Sequence, residues 1–207
     1  MKKLIRKIVP ESFIQEAARR GYLKLHGESS LARPRRLKEG FFDLFCGGQG
    51  LDIGAGGDAI TPDCDVFELQ NGDAMFIDLY VKKQYDFVYA SHVLEHMANP
   101  GVALRNWWKL VKTNGYLILY VPDRDLFEGK KNLPSNKSIV GEKKNYLFNK
   151  RLNPGQHKYF FNLNDDDFPD TIGLLPLVER SLAGCEIVKS KICDGAEHSI
   201  EIVCKKL

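Results

Sequence analysis

The sequence predicts an α/β fold of three layers: a mostly parallel sheet, antiparallel at its last strand, with helices on both faces. Three observations carry this. Short runs of strand formers alternate with stretches of helical spacing along the 207 residues, the order that parallel strands joined by crossovers produce. Two final apolar runs, around Ile187, Val188 and Ile192 and then Ile200, Ile202 and Val203, flank a turn at Asp194-Gly195, and strands joined so tightly run antiparallel. Between Gly50 and Asp58 an apolar run breaks into Gly54, Gly56 and Gly57, as a buried strand does when it ends in a loop whose backbone approaches a ligand closely.

Length and composition bound the rest. A chain of this size forms one domain with a proper core. Its net charge of +3 and pI near 8.5 fall short of the concentrated basic face of a nucleic-acid binder, so no nucleic-acid partner is expected. No apolar run reaches the roughly 18 residues of a membrane span, and the basic start Met1-Lys2-Lys3-Leu4-Ile5 has no signal-peptide core or small-residue cleavage site. A cytoplasmic protein is expected. Cys46, Cys64, Cys185, Cys193 and Cys204 are odd in number and never spaced C-x-x-C, which favours reduced packing thiols over a disulfide frame or a zinc site.

In order along the chain, residues 1–9 alternate basic and apolar side chains; the expectation is a solvated helix or fraying end, with weak contact to an anionic membrane surface as the alternative. Beyond Pro10, Ile14, Ala17, Ala18, Gly21, Tyr22 and Leu25 repeat at helical spacing. Arg33-Pro34-Arg35-Arg36 reads as a solvated charge run, or as a face for an anionic acceptor. Residues 41–45 lead into the first strand. This divides the chain into an N-terminal helical segment, 1–45, and a main domain, 46–207.

The segment from Asp58 to Cys64 is short and broken by Pro62, so little crossover helix is expected there. The next strand, from Asp65, ends at the acid Glu68, and Asn71-Gly72 turns the chain. Phe87, Val88, Tyr89 and Ala90 form a further strand with Ser91 and His92 just beyond its carboxyl end, where open α/β sheets gather ligands. Asn99-Pro100 caps a helix through Leu104, Trp107, Trp108 and Val111, stopped by Asn114-Gly115; the tryptophans read as core or interface. Residues 116–121 are a strand ended by Pro122. Residues 123–163 lack a sustained period and are expected to form a lid-like excursion turning at Pro154-Gly155-Gln156-His157 and anchored by Tyr159, Phe160 and Phe161. Asn164 followed by Asp165, Asp166 and Asp167 reads as a helix start, with helix continuing from Leu177 to Ala183.

The motifs are similar, in residues and order, to those of a known family. Leu51-Asp52-Ile53-Gly54-Ala55-Gly56, then Gly72-Asp73-Ala74, then the run from Tyr85 to His96, and finally Pro122-Asp123 resemble class I S-adenosylmethionine-dependent methyltransferases, in detail the small proteins of the Methyltransf_11 type, over residues 48–123. The resemblance implies a Rossmann-like fold and S-adenosylmethionine as cofactor. It places Asp52, Ile53, Gly54, Ala55, Gly56, Glu68, Asp73, Ala74, Ser91 and His92 at the cofactor, with Glu68 on the ribose hydroxyls and Asp73 with Ala74 on adenine. It further suggests a small-molecule or glycan acceptor.

Methyl transfer by in-line displacement needs alignment more than a nucleophile on the protein. For a hydroxyl acceptor a base is useful, and His92 and His157 are the candidates, since the unperturbed pKa of histidine suits that role. Three rivals fit parts of the sequence. His92-Val93-Leu94-Glu95-His96 spells H-x-x-E-H, an inverted zinc-protease motif, but it follows a strand and no later zinc-ligand Glu announces itself, so no metal is expected and Glu95 and His96 read as local helix. Gly54-x-Gly56-x-x-Ala59 fits a dinucleotide fingerprint and an NAD-dependent oxidoreductase, yet Glu68 comes early and the helix for a pyrophosphate is missing. A non-catalytic cofactor-binding scaffold is the third.

Overall fold

The structure, a computed structural model, describes residues 28–128, 157–164, 171–194 and 197–207. The basic start, the stripe from Ile14 to Leu25, the middle of the 123–163 excursion with its turn at 154–156, the acids at 165–167 and Gly195 lie outside the described residues. The elements are α1 (Glu28–Lys38), α2 (Phe41–Phe45), β1 (Gly50–Ile53), β2 (Asp65–Phe67), β3 (Tyr85–Ser91), α3 (Pro100–Lys109), β4 (Val111–Pro122), β5 (Phe160–Asn162), β6 (Thr171–Gly173), α4 (Leu174–Ser181), β7 (Cys185–Cys193) and β8 (Ser199–Lys206).

Six strands form one sheet in the order β2-β1-β3-β4-β8-β7. The first four are parallel, β8 is antiparallel to β4, and β7 is antiparallel to β8. The antiparallel strand is thus last in sequence, as expected, but it lies one place in from the edge that β7 occupies. A separate parallel pair, β5 and β6, sits beside the main sheet.

Strand alternation sends one set of side chains to each face. On one face Leu51, Ile53, Val88, Ala90, Leu117 and Leu119 pack with Trp107, Trp108 and Val178 of α3 and α4. On the other, Phe87, Tyr89, Ile118, Tyr120 and Val203 pack with Ala32 and Phe41 of α1 and α2. Both tryptophans are core, and their indole N–H groups donate to Ala74 O and Ala183 O.

Helix α3 starts as the sequence predicts, with the Asn99 side chain accepting from Val102 N–H at 3.1 Å and Pro100 in its first turn. It ends sooner, at Lys109, because buried Val111 is already paired with Tyr85. Asn114-Gly115 is therefore an irregularity inside β4, not a helix stop: Asn114 is left-handed (φ 64°), and a Cβ on Gly115 would meet Asp86 O at 2.6 Å. Residues 41–45 likewise form a helix where a lead-in to β1 is expected; Phe41 stacks edge-on against Phe45, which does the same against Tyr116.

The basic run differs most from expectation. Arg33 and Pro34 are exposed, as the solvated reading expects, but α1 lays the second half of the run on the sheet: Arg36 and Glu201 of β8 are both fully buried and paired at 2.7 Å, and Arg36 also donates to Tyr89 OH at 2.9 Å. Its guanidinium lies over the rings of Phe41, Tyr89 and Tyr120 at 4.8–5.1 Å. Arg35 bridges Glu197 and Glu201, and Lys189 reaches Glu201 at 3.1 Å. Burial opposes ionisation of Glu201, but hydrogen bonds from Arg35 and the charges of Arg36, Arg35 and Lys189 outweigh it and hold its pKa down to about 2.

A carboxylate held below its unfolded value stabilises the fold above that value and stops doing so as pH falls through the folded pKa. Glu201 should therefore contribute about 3 kcal/mol at neutral pH that is lost between pH 4.5 and about 2. Urea titrations of Glu201→Gln should show stability lower by about 3–5 kcal/mol at pH 7, since buried guanidinium is left unpaired, and a shallower acid dependence than wild type. An unchanged acid limb would show that the pair is not the acid-sensitive contact.

Candidate functional site

At the top of β1 the backbone turns back without a helix: residues 54–64 form turns only, as Pro62 and the short spacing predict. Gly54, Gly56 and Gly57 all have positive φ (73°, 58° and 85°), the left-handed region that glycine enters at little cost. A Cβ on Gly54 would also meet Val93 Cγ2 at 2.5 Å. Gly54 N–H donates to Phe67 O, Gly56 N–H to Glu68 Oε1 and Ile60 N–H to Asp52 Oδ2, each at 2.8 Å. Ser30, at the start of α1, donates from its N–H to Asp58 at 2.9 Å. The loop is thus pinned from β1, β2 and α1.

Asp52 is fully buried, and the local N–H donor its burial demands is that of Ile60. Burial raises its pKa to about 7, with the Ile60 hydrogen bond acting the other way. Its Oδ1 has no hydrogen-bond partner. Asp52 lies beneath the loop, holding its shape.

A cavity of about 470 Å³ opens beside this loop. Of the predicted site residues, Ile53, Gly54, Glu68, Asp73 and Ala74 line it, together with Leu69, Val93 and Met97; Asp52, Ala55, Gly56, Ser91 and His92 do not. Glu68 follows β2 and is fixed by Gly56 N–H and by a reciprocal cap with Asn71, whose side chain accepts from Glu68 N–H at 2.8 Å. The Asp73 carboxylate accepts from Met75 N–H at 2.8 Å and starts a 3₁₀ turn. The wall therefore offers one carboxylate at the β2 end, a second at the next turn, and apolar surface from Leu69, Val93 and Met97 between them. It offers no helix N-terminus of the kind a pyrophosphate uses.

Beyond β3 the chain turns through His92, whose φ is 53°. Its Nε2 lies 3.1 Å from Ser199 Oγ. The Ser199 hydroxyl donates to Glu197 O at 2.8 Å, so its oxygen accepts from His92 Nε2–H, and the other ring nitrogen is Nδ1. That atom stands 3.6 Å from Glu95 Oε1. His157 Nε2 lies 3.9 Å from the same oxygen, and the two predicted catalytic histidines both contact the ring of Phe127, His157 stacked at 5.4 Å and His92 edge-on at 5.8 Å. Lys158 and Tyr159 donate their N–H groups to Glu95 O at 2.7 and 3.2 Å, seating His157 over the turn. Both flanks of the 123–163 excursion are packed: Asp123, Phe160 and Phe161 are buried.

Sequence reasoning missed Glu95. It reads as local helix, and the turn Leu94–His96 is indeed 3₁₀, but its carboxyl is fully buried and central to the histidines. Burial raises its pKa to about 8. The H-x-x-E-H spacing was the available signal.

The family profile Methyltransf_23, described as "Methyltransferase domain", matches residues 30–165, where the motifs resemble the Methyltransf_11 type. No curated protein matches the chain in sequence. Among solved structures, a SAM-dependent methyltransferase from Thermotoga maritima, described as a possible histamine N-methyltransferase, is 17% identical, with 95% of this chain and 98% of that one covered and a TM-score of 0.52. Magnesium protoporphyrin IX methyltransferase from Synechocystis PCC 6803, with bound SAH, is 12% identical over 100% of both chains, with a TM-score of 0.50. These likenesses show the fold. The profile, which spans well over half of the sequence, shows the family: this chain belongs to the methyltransferase domain family.

Proposed function

We propose that this protein transfers the methyl group of S-adenosylmethionine to a small-molecule or glycan acceptor, and that the cavity between the glycine loop and the turn after β2 holds the cofactor. The observation that supports this reading best is the wall of that cavity, where Glu68, Asp73 and the loop at Gly54 converge. A carboxylate at the β2 end accepts from both vicinal ribose hydroxyls. Asp73 and Ala74, with Leu69 alongside, suit adenine, and the backbone of 53–56 suits the methionine end. Gly54 lets Val93 pack directly against the loop, because a Cβ there would meet Val93 Cγ2 at 2.5 Å.

The cofactor supplies an electrophilic methyl on sulfonium when bound. The chain's part is alignment, which is worth about 7–11 kcal/mol when reacting atoms are held in near-attack geometry. Val93 and Met97 exclude water from the cavity wall on the side of the His92 turn. His92, held at Nε2 by Ser199, is one of the two histidines at this turn offered as a base for an acceptor hydroxyl. His157, seated over the same turn, borders the acceptor side.

Glu68→Ala should weaken S-adenosylhomocysteine binding by about 1.5–3 kcal/mol, the scale of hydrogen bonds to a charged group, with the fold intact by circular dichroism. Affinity unchanged in an isothermal titration would move the cofactor elsewhere. Gly54→Val should lose both affinity and thermal stability, since it combines a left-handed backbone with a collision at Val93; a melting curve and titration matching wild type would contradict the close approach.

A further inference from the structure

We infer that Glu95, His96 and His157 form a binding site for a divalent transition metal, with zinc as the best fit. One donor atom from each lies within 4.8 Å of the other two. Glu95 Oε1 is the hub, 3.8 Å from His96 Nε2 and 3.9 Å from His157 Nε2. These separations are too long for hydrogen bonds, and they are near those of donors sharing one ion: tetrahedral zinc with bonds of about 2.0–2.2 Å sets its ligand atoms about 3.3–3.6 Å apart.

Glu95 supplies the second, independent observation. Its side chain is fully buried, and neither carboxylate oxygen has a hydrogen-bond partner. A buried carboxylate is costly unless it is paired or binds a metal. Two histidines and one glutamate are a ligand set of catalytic zinc, which keeps a further position for water or substrate. The backbone assembles the set: Lys158 and Tyr159 N–H groups on Glu95 O bring His157 to a turn far from it in sequence.

The turn also furnishes Val93 and Met97 to the cofactor cavity, so the metal would adjoin the methyl donor. The acceptor class it suits is one with a hydroxyl or amine that takes the open position. That role rests on the methyl-transfer reading; the site itself does not.

The test uses the full chain, stripped with EDTA and titrated with Zn²⁺ in a calorimeter and with Co²⁺ by visible absorption. The expected result is one equivalent of zinc and a cobalt spectrum of nitrogen and oxygen ligation without thiolate charge transfer. Glu95→Gln and His157→Ala should each lower zinc affinity by more than the roughly 10–100-fold that loss of a supporting residue costs, while Cys64→Ser should leave it unchanged. Should Glu95→Gln fail to fold, the partly exposed His157→Ala carries the comparison. Absence of stoichiometric uptake, thiolate bands, or variants that bind zinc like wild type would each overturn the site, leaving a protonated carboxyl or a water at the centre. S-adenosylhomocysteine affinity of the stripped protein is read separately and bears on the methyl-transfer reading alone.

Discussion

The turn at the head of β1 is the constraint from which the site follows. With no helix between β1 and β2, the loop cannot rely on a helix dipole or a helix's own hydrogen bonds for its shape. Side-chain carboxylates do that work. Asp52 takes Ile60 N–H from below, Glu68 takes Gly56 N–H from the side, and Asp58 takes Ser30 N–H from α1. Glu68 thereby sits at the cavity wall with its orientation already fixed. A methionine carboxylate and amine ask less of a helix N-terminus than a pyrophosphate does, so a short, pinned loop is compatible with this cofactor and poor for a dinucleotide.

The opposite face of the sheet is joined to the same site through β8. Glu201 holds Arg36 and Arg35, Glu197 holds Arg35 and accepts from Tyr120 OH, and Ser199 between them receives His92 Nε2–H. One short segment thus anchors α1 and orients the histidine of the turn after β3. The buried ion pair is not evidence of high stability in itself, because desolvation offsets much of its attraction. Its consequence is positional: α1 has one place to sit, and its first turn is where Ser30 meets the loop.

What was legible in the sequence, and what was not, divides along physical lines. The glycine loop, the missing helix, the Asn99-Pro100 helix start and the parallel order were legible because each depends on neighbours in the chain. Asp52 was legible through the motif it shares with Leu51, Ile53 and Gly54. Arg36 and Glu201 were not: Glu201 alternates with Ile200 and Ile202 and so reads as the solvent side of a strand, yet both faces of a central strand are covered here, and the polar side is a second core. Glu95 was hidden differently. Its burial and its neighbour His157 arise from the fold of a distant segment, so the H-x-x-E-H spacing marks the turn but not the residue that completes the cluster.

The account stands on the cavity beside Gly54 being an S-adenosylmethionine site. The most direct measurement is a calorimetric titration of the wild-type protein with S-adenosylmethionine, S-adenosylhomocysteine and NADH, paired with melting curves at saturation. Donor and product should bind one to one, and at about 100 times Kd add about 2.7 kcal/mol, a melting shift of several degrees, while NADH should do neither. Tight NADH binding with no response to either sulfur compound would contradict the account.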